Sequence, residues 1–287
     1  MTYGEWYARY TSLYCKKLAP KTLEGRARLS ALIGPQLDAL QINAITPEDI
    51  QQALLYVEAA AGSRQAQLAY ALLHAVFRRA YRSRLLSWSP VEAVDRPQHE
   101  AAPGRAISCD DWEQLLPAIS EDVAFGLMAF AGLRRGEVLG LIRADIDLPG
   151  QLIHVRRQRV RVHGQLTTST PKSSAGVRDV PILPELAPQL QAACRYCLPS
   201  APIVRCSPET LARRWRRAQL EAGVSKPYRL HDLRHTYATR LVLAGCNLKV
   251  LQYMIGHSSF ELTANTYTHV GAADAVTEYK RVAGLLH

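Results

Sequence analysis

Six residues in the second half of the chain have side chains that could act on a phosphodiester. Two arginines could bind non-bridging oxygens with their forked guanidinium groups, a lysine and two histidines could move protons or donate hydrogen bonds, and a tyrosine could attack phosphorus. Such cations accelerate cleavage when they bind the transition state more tightly than the ground state. In chain order the six are Arg134, Lys172, His231, Arg234, His257 and Tyr267.

Each of the six is ambiguous when taken alone. Arg134 lies in Gly-Leu-Arg-Arg-Gly-Glu, which on its own is typical of a surface turn, and Glu137 follows three residues later. His231 and Arg234 are one helical turn apart in His-Asp-Leu-Arg-His. Tyr267 is one of 13 tyrosines, and most tyrosines pack with a hydrated hydroxyl. Only the joint order and spacing favour a shared site over six unrelated side chains.

Taken in order, these motifs resemble the tyrosine recombinases, also called the phage integrase family. The motifs are Gly-Leu-Arg with a glutamate three residues on, a lysine hairpin, His-x-Leu-Arg-His, Gly-His and a terminal tyrosine. The resemblance extends over nearly the whole chain. In the N-terminal half, Leu18-Ala-Pro-Lys-Thr-Leu23 and Ile45-Thr-Pro-Glu-Asp-Ile50 are similar to landmarks of the core-binding helical domain of that family.

The resemblance implies a site-specific DNA recombinase that breaks and rejoins strands without metal, ATP or another cofactor. It implies that Arg134 and Arg234 bind phosphate oxygens and that Glu137 orients Arg134. It also implies a nucleophile that forms a 3′-phosphotyrosine, an acid for the departing 5′-oxygen, a histidine that moves a proton and a histidine that donates a hydrogen bond to the phosphate. These four roles fall to Tyr267, Lys172, His231 and His257, respectively.

The resemblance further implies an assembly on double-stranded DNA. Two domains would close around the duplex as a C-shaped clamp, and four protomers would assemble on two recombination sites, with an accessory DNA-bending protein as a further partner. The family docks a C-terminal tail onto a neighbour, which predicts trans packing for Gly271–His287, although the amphipathic pattern would equally allow packing in cis. Gly256–Tyr267 is closer to mobile-element integrases than to chromosome-dimer resolvases.

Composition agrees with a nucleic-acid partner. The net charge is +10 and 48% of the residues are hydrophobic, which excludes a wholly disordered chain. The longest uncharged apolar stretch, Val123–Leu133, has 11 residues and is too short to span a bilayer. The start of the chain has no pattern of a secretory signal, and six cysteines do not form a disulfide framework. We therefore predict a cytoplasmic, nucleoid-associated protein with no membrane partner.

Cofactor signals are weak. The sequence has no paired carboxylates typical of a two-metal nuclease, and Gly132 and Gly136 do not form a phosphate-binding loop. Cys194 and Cys197 have the spacing of zinc ligands but lack a second pair, which favours ordinary thiols. We predict no bound metal and no cofactor.

The hydrophobic patterns predict a mainly α fold with a small antiparallel β-sheet. We predict a helical core-binding domain over residues 1–88, a linker over 89–105 that is rich in proline, and a mixed α+β catalytic domain over 106–287 that ends in a tail helix. Alternating apolar and basic residues after Gln151 predict strands, joined as a hairpin at His163-Gly164.

Local signals predict several helix boundaries. Gly34-Pro35 should end a helix that begins near Lys21, and another helix should run from Ser63 to about Leu86. A buried helix should run from Ser108 through Leu141, while Ser207 and Asn247 should cap later helices.

Two groups of arginines are candidates for contacts with the DNA backbone. The first lies where a helix dipole alone would also favour cations, and the second lies opposite an apolar stripe of Leu211, Trp215 and Ala218. In each case a solvated helix face is the alternative. The candidates are Arg78, Arg79, Arg82, Arg213, Arg214, Arg216 and Arg217.

Three other functions remain open at the level of the sequence: an Xer-like resolvase of DNA multimers, a type IB-like topoisomerase that acts as a monomer, and a non-catalytic DNA-binding regulator. The chain begins directly at the core-binding helices. This predicts either a simple layout or the loss or truncation of the arm-binding domain that many phage and transposon integrases carry.

Overall fold

The computed structural model of the chain describes residues 1–100, 104–171 and 174–256. These residues belong to two compact units. The first comprises Met1–Ala102 with Arg161–Gln165, and the second comprises Pro103–Val160 and the chain from Leu166 onwards. The fold is mainly helical with small antiparallel sheets, which confirms the predicted class. In the described part of the chain, no helix combines the length and apolarity that crossing a bilayer requires.

The first unit is a helical bundle around one apolar core. Thr46 caps its third helix by accepting a hydrogen bond from the backbone N–H of Asp49, whose carboxylate in turn accepts from the Thr46 N–H. Ile33, Ile50, Val57 and Phe77 lie in its fully buried centre. The helices are α1 Tyr3–Tyr14, α2 Pro20–Leu37, α3 Pro47–Ala61 and α4 Ser63–Arg82.

Two boundaries in this unit differ from the prediction. Helix α2 continues past Gly34-Pro35 to Leu37, because a proline near the end of a helix sacrifices only one hydrogen bond and its fixed φ is helical. Helix α4 ends at Arg82 and not near Leu86, where the sequence analysis places its end.

The predicted linker over 89–105 differs from the structure at its beginning. Pro90–Ala93 form a 3-10 turn, and Val91 and Val94 lie in the core of the first unit. Further along, the Ser63 hydroxyl hydrogen-bonds His99 Nδ1 at 3.0 Å. The part of the segment up to His99 therefore packs against the first unit, where the sequence predicts only a connection.

The second unit surrounds a central apolar helix. Helix α6 packs against α5 and α10, and all of its residues from Ala124 to Phe130 are buried. Short 3-10 turns at Arg143–Asp145 and Ser174–Gly176 connect its elements. The helices are α5 Cys109–Glu121, α6 Val123–Phe130, α7 Arg135–Gly140, α8 Ala187–Cys194, α9 Pro208–Glu221, α10 Leu230–Leu243 and α11 Leu248–Ile255.

The single helix predicted from Ser108 through Leu141 is wrong. Asp122 ends α5 and caps α6, since its carboxylate accepts a hydrogen bond from the Ala124 N–H at 3.0 Å. A second break follows at Gly132, whose φ of +63° is incompatible with a right-handed helix. The capping residues Ser207 and Asn247 are confirmed as N-caps of α9 and α11.

The chain forms two small antiparallel sheets, and residues Arg161–Gln165 of the second sheet are grouped with the first unit. Strands β1 Ile146–Asp147, β2 Leu152–Val155 and β5 Arg178–Pro181 form a three-stranded sheet in the order β1-β2-β5. Ile153 pairs with Ile146 on one side and Val180 on the other. Strands β3 Gln158–Val162 and β4 Gln165–Ser169 form the predicted hairpin, with its turn at His163-Gly164.

Candidate functional site

Arg134 lies at the junction between α6 and α7. Its backbone N–H donates to Glu137 Oε2 at 2.8 Å, which begins α7. Its guanidinium donates from Nη1 to Glu137 Oε1 at 2.8 Å and from Nη2 to the Gly256 carbonyl at 2.6 Å. The Arg134 side chain is still 36% exposed. A guanidinium has five N–H donors, so Arg134 retains donors for a ligand that approaches from solvent.

Arg234 projects from the first turns of α10 into the interior and is 3% exposed. Its Nη1 donates to the Gly132 carbonyl and its Nη2 to the Ile255 carbonyl, each at 2.5 Å. Both arginines therefore contact the C-terminal end of α11, at neighbouring residues. The structure brings together Arg134 and Arg234, which are 100 positions apart in the sequence.

Glu137 is the buried counter-ion of this cluster, with a side-chain exposure of 2%. Burial alone would raise the pKa of Glu137. The hydrogen bonds and charge of Arg178, together with the charge of Arg134, outweigh burial and lower the pKa of Glu137 below its usual 4.5. Glu137 is thus a carboxylate at neutral pH, in agreement with an orienting role for Arg134.

Arg178 is a residue of this cluster that our sequence analysis missed. Its side chain is fully buried, and it binds both carboxylate oxygens of Glu137, at 3.1 and 3.0 Å. A signal for it exists in the sequence. Because side chains alternate along a strand, Arg178 shares a face of β5 with the buried Val180. An arginine in line with a core valine requires a buried partner.

His231 lies in the first turn of α10, one turn before Arg234, as predicted. The residue is exposed, yet protein packed around the ring and the charges of Arg234 and Arg134 lower the pKa of His231 from 6.5 to about 4. The two nearby cations act on the ring even where it contacts water. His231 is therefore neutral at pH 7 and able to accept a proton.

Three predicted site residues, Lys172, His257 and Tyr267, lie outside the described residues. The described chain ends just before the second of them, at Gly256, which closes α11 in a left-handed conformation with φ +66°. Another tyrosine, Tyr253, is the rival nucleophile nearest in sequence. It is exposed on α11, and its hydroxyl accepts a hydrogen bond from the Asp179 N–H at 3.3 Å.

The arginines proposed to contact DNA differ in their surroundings. In the first unit, Arg79 lies over the Tyr14 ring at 4.0 Å, while Arg78 and Arg82 are exposed. In the second unit, the predicted stripe on α9 is confirmed, since Leu211, Trp215 and Ala218 are buried. On the opposite face Arg214 pairs with Asp122, Arg217 pairs with Glu221 at 2.7 Å, and Arg213 and Arg216 are exposed.

No group of three or more potential metal ligands occurs within residues 1–100, 104–171 and 174–256. Cys194 is buried, and burial raises the pKa of its thiol. The Cys197 thiol donates to the Ala193 carbonyl at 3.2 Å. Both cysteines thus have the surroundings of ordinary thiols.

Comparison with known proteins places the same residues in a family context. Residues 108–273 match the Phage integrase family. A prophage phiRv2 integrase of Mycobacterium tuberculosis is 33% identical over 207 residues, 66% of this chain and 54% of that protein. A tyrosine recombinase XerC 2 of Ralstonia nicotianae is 32% identical over 219 residues, 70% of this chain and 60% of that protein. The chain thus spans about half the length of the prophage integrase it matches.

Among solved structures, the Tn1549 transposon integrase in complex with a circular intermediate DNA shares the fold. The TM-score is 0.82 at 23% sequence identity, and the match covers 98% of this chain and 99% of that chain. The likeness therefore extends over both units of the fold.

Proposed function

The chain belongs to the phage integrase family of tyrosine recombinases, and on that premise we propose that it is a site-specific DNA recombinase. It would cleave and rejoin DNA strands through a 3′-phosphotyrosine intermediate and so integrate or excise a mobile element. The observation that carries this proposal is the convergence of Arg134 and Arg234 on the end of α11, beside a neutral His231.

This cluster suits a phosphate that gains negative charge in the transition state. Two guanidiniums held by fixed hydrogen bonds need little reorganisation when charge develops, and such prepositioned donors contribute most of the stabilisation in many enzymes. Arg134 reaches solvent, which gives a phosphate access to the cluster. His231 is neutral at pH 7, so a ring nitrogen can accept a proton, and the negative charge of a bound phosphate would raise the pKa of His231 toward the value that a general base needs.

In the proposed reaction the Tyr267 hydroxyl loses its proton to His231 and attacks phosphorus. The bond from phosphorus to the 5′-oxygen breaks, and Lys172 supplies a proton to that oxygen. His257 donates a hydrogen bond to the phosphate. The phosphotyrosine conserves the energy of the broken bond, so attack by another 5′-hydroxyl rejoins the strand without ATP.

We further propose that double-stranded DNA is the partner and that both the helical first unit and the second unit contact it. Four protomers would act on two sites, with the segment Gly271–His287 packing on a neighbour and a DNA-bending protein as an accessory. Such an enzyme works where the chromosome is, in the cytoplasm and associated with the nucleoid. The prophage and transposon relatives favour integration or excision, and the XerC relative keeps multimer resolution as the second candidate.

The direct test is trapping on a nicked suicide duplex that carries the element's own end sequences. We expect a covalent adduct whose 3′-phosphate is attached to Tyr267, identified by denaturing gel and peptide mass spectrometry. Tyr267→Phe should bind DNA with unchanged affinity and form no adduct, because it lacks only the attacking oxygen. Tyr253→Phe is the matched control and should form the adduct normally.

Other outcomes of this test separate the alternatives. An adduct at Tyr253 would overturn the choice of nucleophile. Relaxation of supercoiled plasmid with no preferred site would favour a topoisomerase, and DNA binding without an adduct on any end sequence would favour a regulator. Exchange confined to two sites on one multimeric plasmid would favour the resolvase.

A further inference from the structure

Three arginines from separate parts of the second unit bind three successive carbonyls at the end of α11. Arg178 Nε donates to the Met254 carbonyl at 2.7 Å. Arg234 Nη2 donates to the Ile255 carbonyl at 2.5 Å, and Arg134 Nη2 donates to the Gly256 carbonyl at 2.6 Å. The last carbonyls of a helix have no partner within the helix and carry its negative partial charge, so cations there are stabilising.

Arg178 differs from Arg134, whose side chain is 36% exposed, because its guanidinium is enclosed by protein. Its side chain has 0% exposure, and its donors are directed to Glu137, Met254 and the Gly176 carbonyl. Each of the three guanidinium nitrogens of Arg178 donates to a protein acceptor, so the group is not available to a phosphate that approaches from solvent. Any effect of Arg178 on strand cleavage must therefore pass through its neighbours.

Glu137 connects Arg178 to Arg134. Both oxygens of Glu137 accept from Arg178, and Oε1 also accepts from Arg134 Nη1 at 2.8 Å. A bidentate arginine–carboxylate pair fixes the plane of the carboxylate. With that plane fixed, the hydrogen bond to Arg134 defines one direction for the Arg134 guanidinium.

We infer that Arg178 is a positioning residue of the site: through Glu137 it sets the orientation of Arg134, and through Met254 it holds the last turn of α11. This inference rests on the proposed function, because it assigns a purpose to the orientation of Arg134 toward the scissile phosphate. A displacement of about 1 Å in such a group can lower a rate by about 10²-fold.

The test compares Arg178→Lys with the wild-type chain on suicide duplexes. Lysine keeps the charge and loses the fork, so we expect DNA affinity to be unchanged and the rate of adduct formation to fall by about 10²-fold. Arg157→Lys is the matched control. Arg157 pairs with the buried Asp145 elsewhere in the second unit, and we expect its replacement to leave the cleavage rate within about 3-fold, as for a partly exposed pair.

A second substrate separates positioning from general damage. A methylphosphonate at the scissile position replaces one charged non-bridging oxygen with a neutral methyl group, so less charge must be neutralised in the transition state. If Arg178 acts by orienting Arg134, the defect of Arg178→Lys should shrink to less than about 10-fold on at least one methylphosphonate isomer. An equal defect on both substrates, or no defect on either, would overturn the inference.

Two further measurements keep the inference testable if Arg178→Lys fails to fold or if the wild-type chain forms no adduct. Glu137→Gln removes the charge that connects Arg178 to Arg134. Its rate of adduct formation should also fall on the phosphate duplex, and the defect should also shrink on at least one methylphosphonate isomer. Independently of activity, NMR of ¹⁵N-labelled arginine side chains should show slow rotation of the Arg134 guanidinium in the wild type and fast rotation in Glu137→Gln. Unchanged rotation would refute the inference, whereas a missing wild-type adduct refutes only the proposed function.

Discussion

Gly132 occupies a position beside the arginine cluster that only glycine fits without strain. Its φ is +63°, and a Cβ added there would lie 2.5 Å from Cδ1 of the buried Tyr237 ring. Its carbonyl accepts the hydrogen bond from Arg234. The glycine thus ends α6, admits the aromatic ring and orients one of the two cations. In the Gly-Leu-Arg motif, Gly132 therefore has a structural role, beside the phosphate-binding role proposed for Arg134.

We predict that Gly132→Ala lowers the free energy of unfolding of the second unit by about 2–5 kcal/mol, the sum of backbone strain and overpacking against Tyr237. The matched control is Gly223→Ala. Gly223 also has a positive φ, +72°, but nothing lies within 4 Å of an added Cβ, so only strain of about 1–2 kcal/mol is expected. Urea unfolding of both variants measures the difference, and equal destabilisation would show that the Tyr237 contact has no cost.

At the same scale, the sequence predicted the described residues of the cluster that belong to spaced motifs, but it did not predict Arg178, which belongs to none of them. The order and spacing of the motifs predicted four described residues, Arg134, Glu137, His231 and Arg234. Of these, Arg134 and Arg234 bind the end of α11, and Glu137 binds Arg134. Arg178 was not predicted, since a single arginine on a strand is usually solvated. Its role depends on a carboxylate 41 positions away, which no local pattern encodes.

At the scale of elements, α7 allows a close approach of the chain that enters β3. A Cβ at Gly140 would lie 2.9 Å from the Arg157 carbonyl, and a Cβ at Gly136 would lie 3.1 Å from the Arg159 carbonyl. The side chain of Gln158, between these two carbonyls, donates to the Thr170 carbonyl at 3.0 Å. The hairpin is thereby held against α7 at its base, two residues before the predicted general acid Lys172.

We predict that Gln158→Ala slows strand cleavage by about 2- to 10-fold, the value of one net hydrogen bond, with DNA affinity unchanged. The defect should disappear on a duplex whose scissile 5′-oxygen is replaced by sulfur, because a thiolate leaves without an acid. Single-turnover adduct formation on both duplexes measures this. A defect that persists on the sulfur substrate would mean that Gln158 does not act on the acid.

Element boundaries show where local signals compete. The apolar run before Arg134 predicted one helix because every residue in it suits a buried helix, yet Asp122 and Gly132 divide it. The capping preference of aspartate was visible at position 122, but the apolar periodicity on both sides concealed it. At Gly34-Pro35 the error was opposite. The sequence predicts that the helix ends there, but the helix continues because Ile33 and Leu37 are both fully buried in the first unit.

At the scale of the whole molecule, the net charge of +10 is not distributed as freely available cations. Several basic side chains are paired within their own unit, as Arg157 is with Asp145 and Arg217 is with Glu221. Arg213 and Arg216 are exposed and form no ion pair with another described residue. Composition predicts a nucleic-acid partner as a class, whereas only the fold separates cations that are available from those that are occupied.

We predict that Arg213→Ala and Arg216→Ala each reduce the slope of log K against log salt for DNA binding by about 0.9, the value for one lost phosphate contact. Arg217→Ala is the control on the same helix and should change the slope less, since Glu221 already offsets its charge. Titrations at several salt concentrations with specific and random duplexes measure the slope. If all three variants kept the slope of the wild-type chain, α9 would not contact the DNA backbone.

The three hydrogen bonds at the end of α11 connect residues 122, 76 and 21 positions apart in the chain. No fragment that has finished only its local helices can contain this cluster, because its cations come together only when the most distant loops of the second unit have closed. If Tyr267 is the nucleophile, as proposed, a nascent or partly unfolded copy carries this tyrosine without the clustered cations that would activate it. If the chain cleaves DNA as proposed, this requirement for long-range closure confines cleavage to fully folded copies, which also hold the cations that resealing needs.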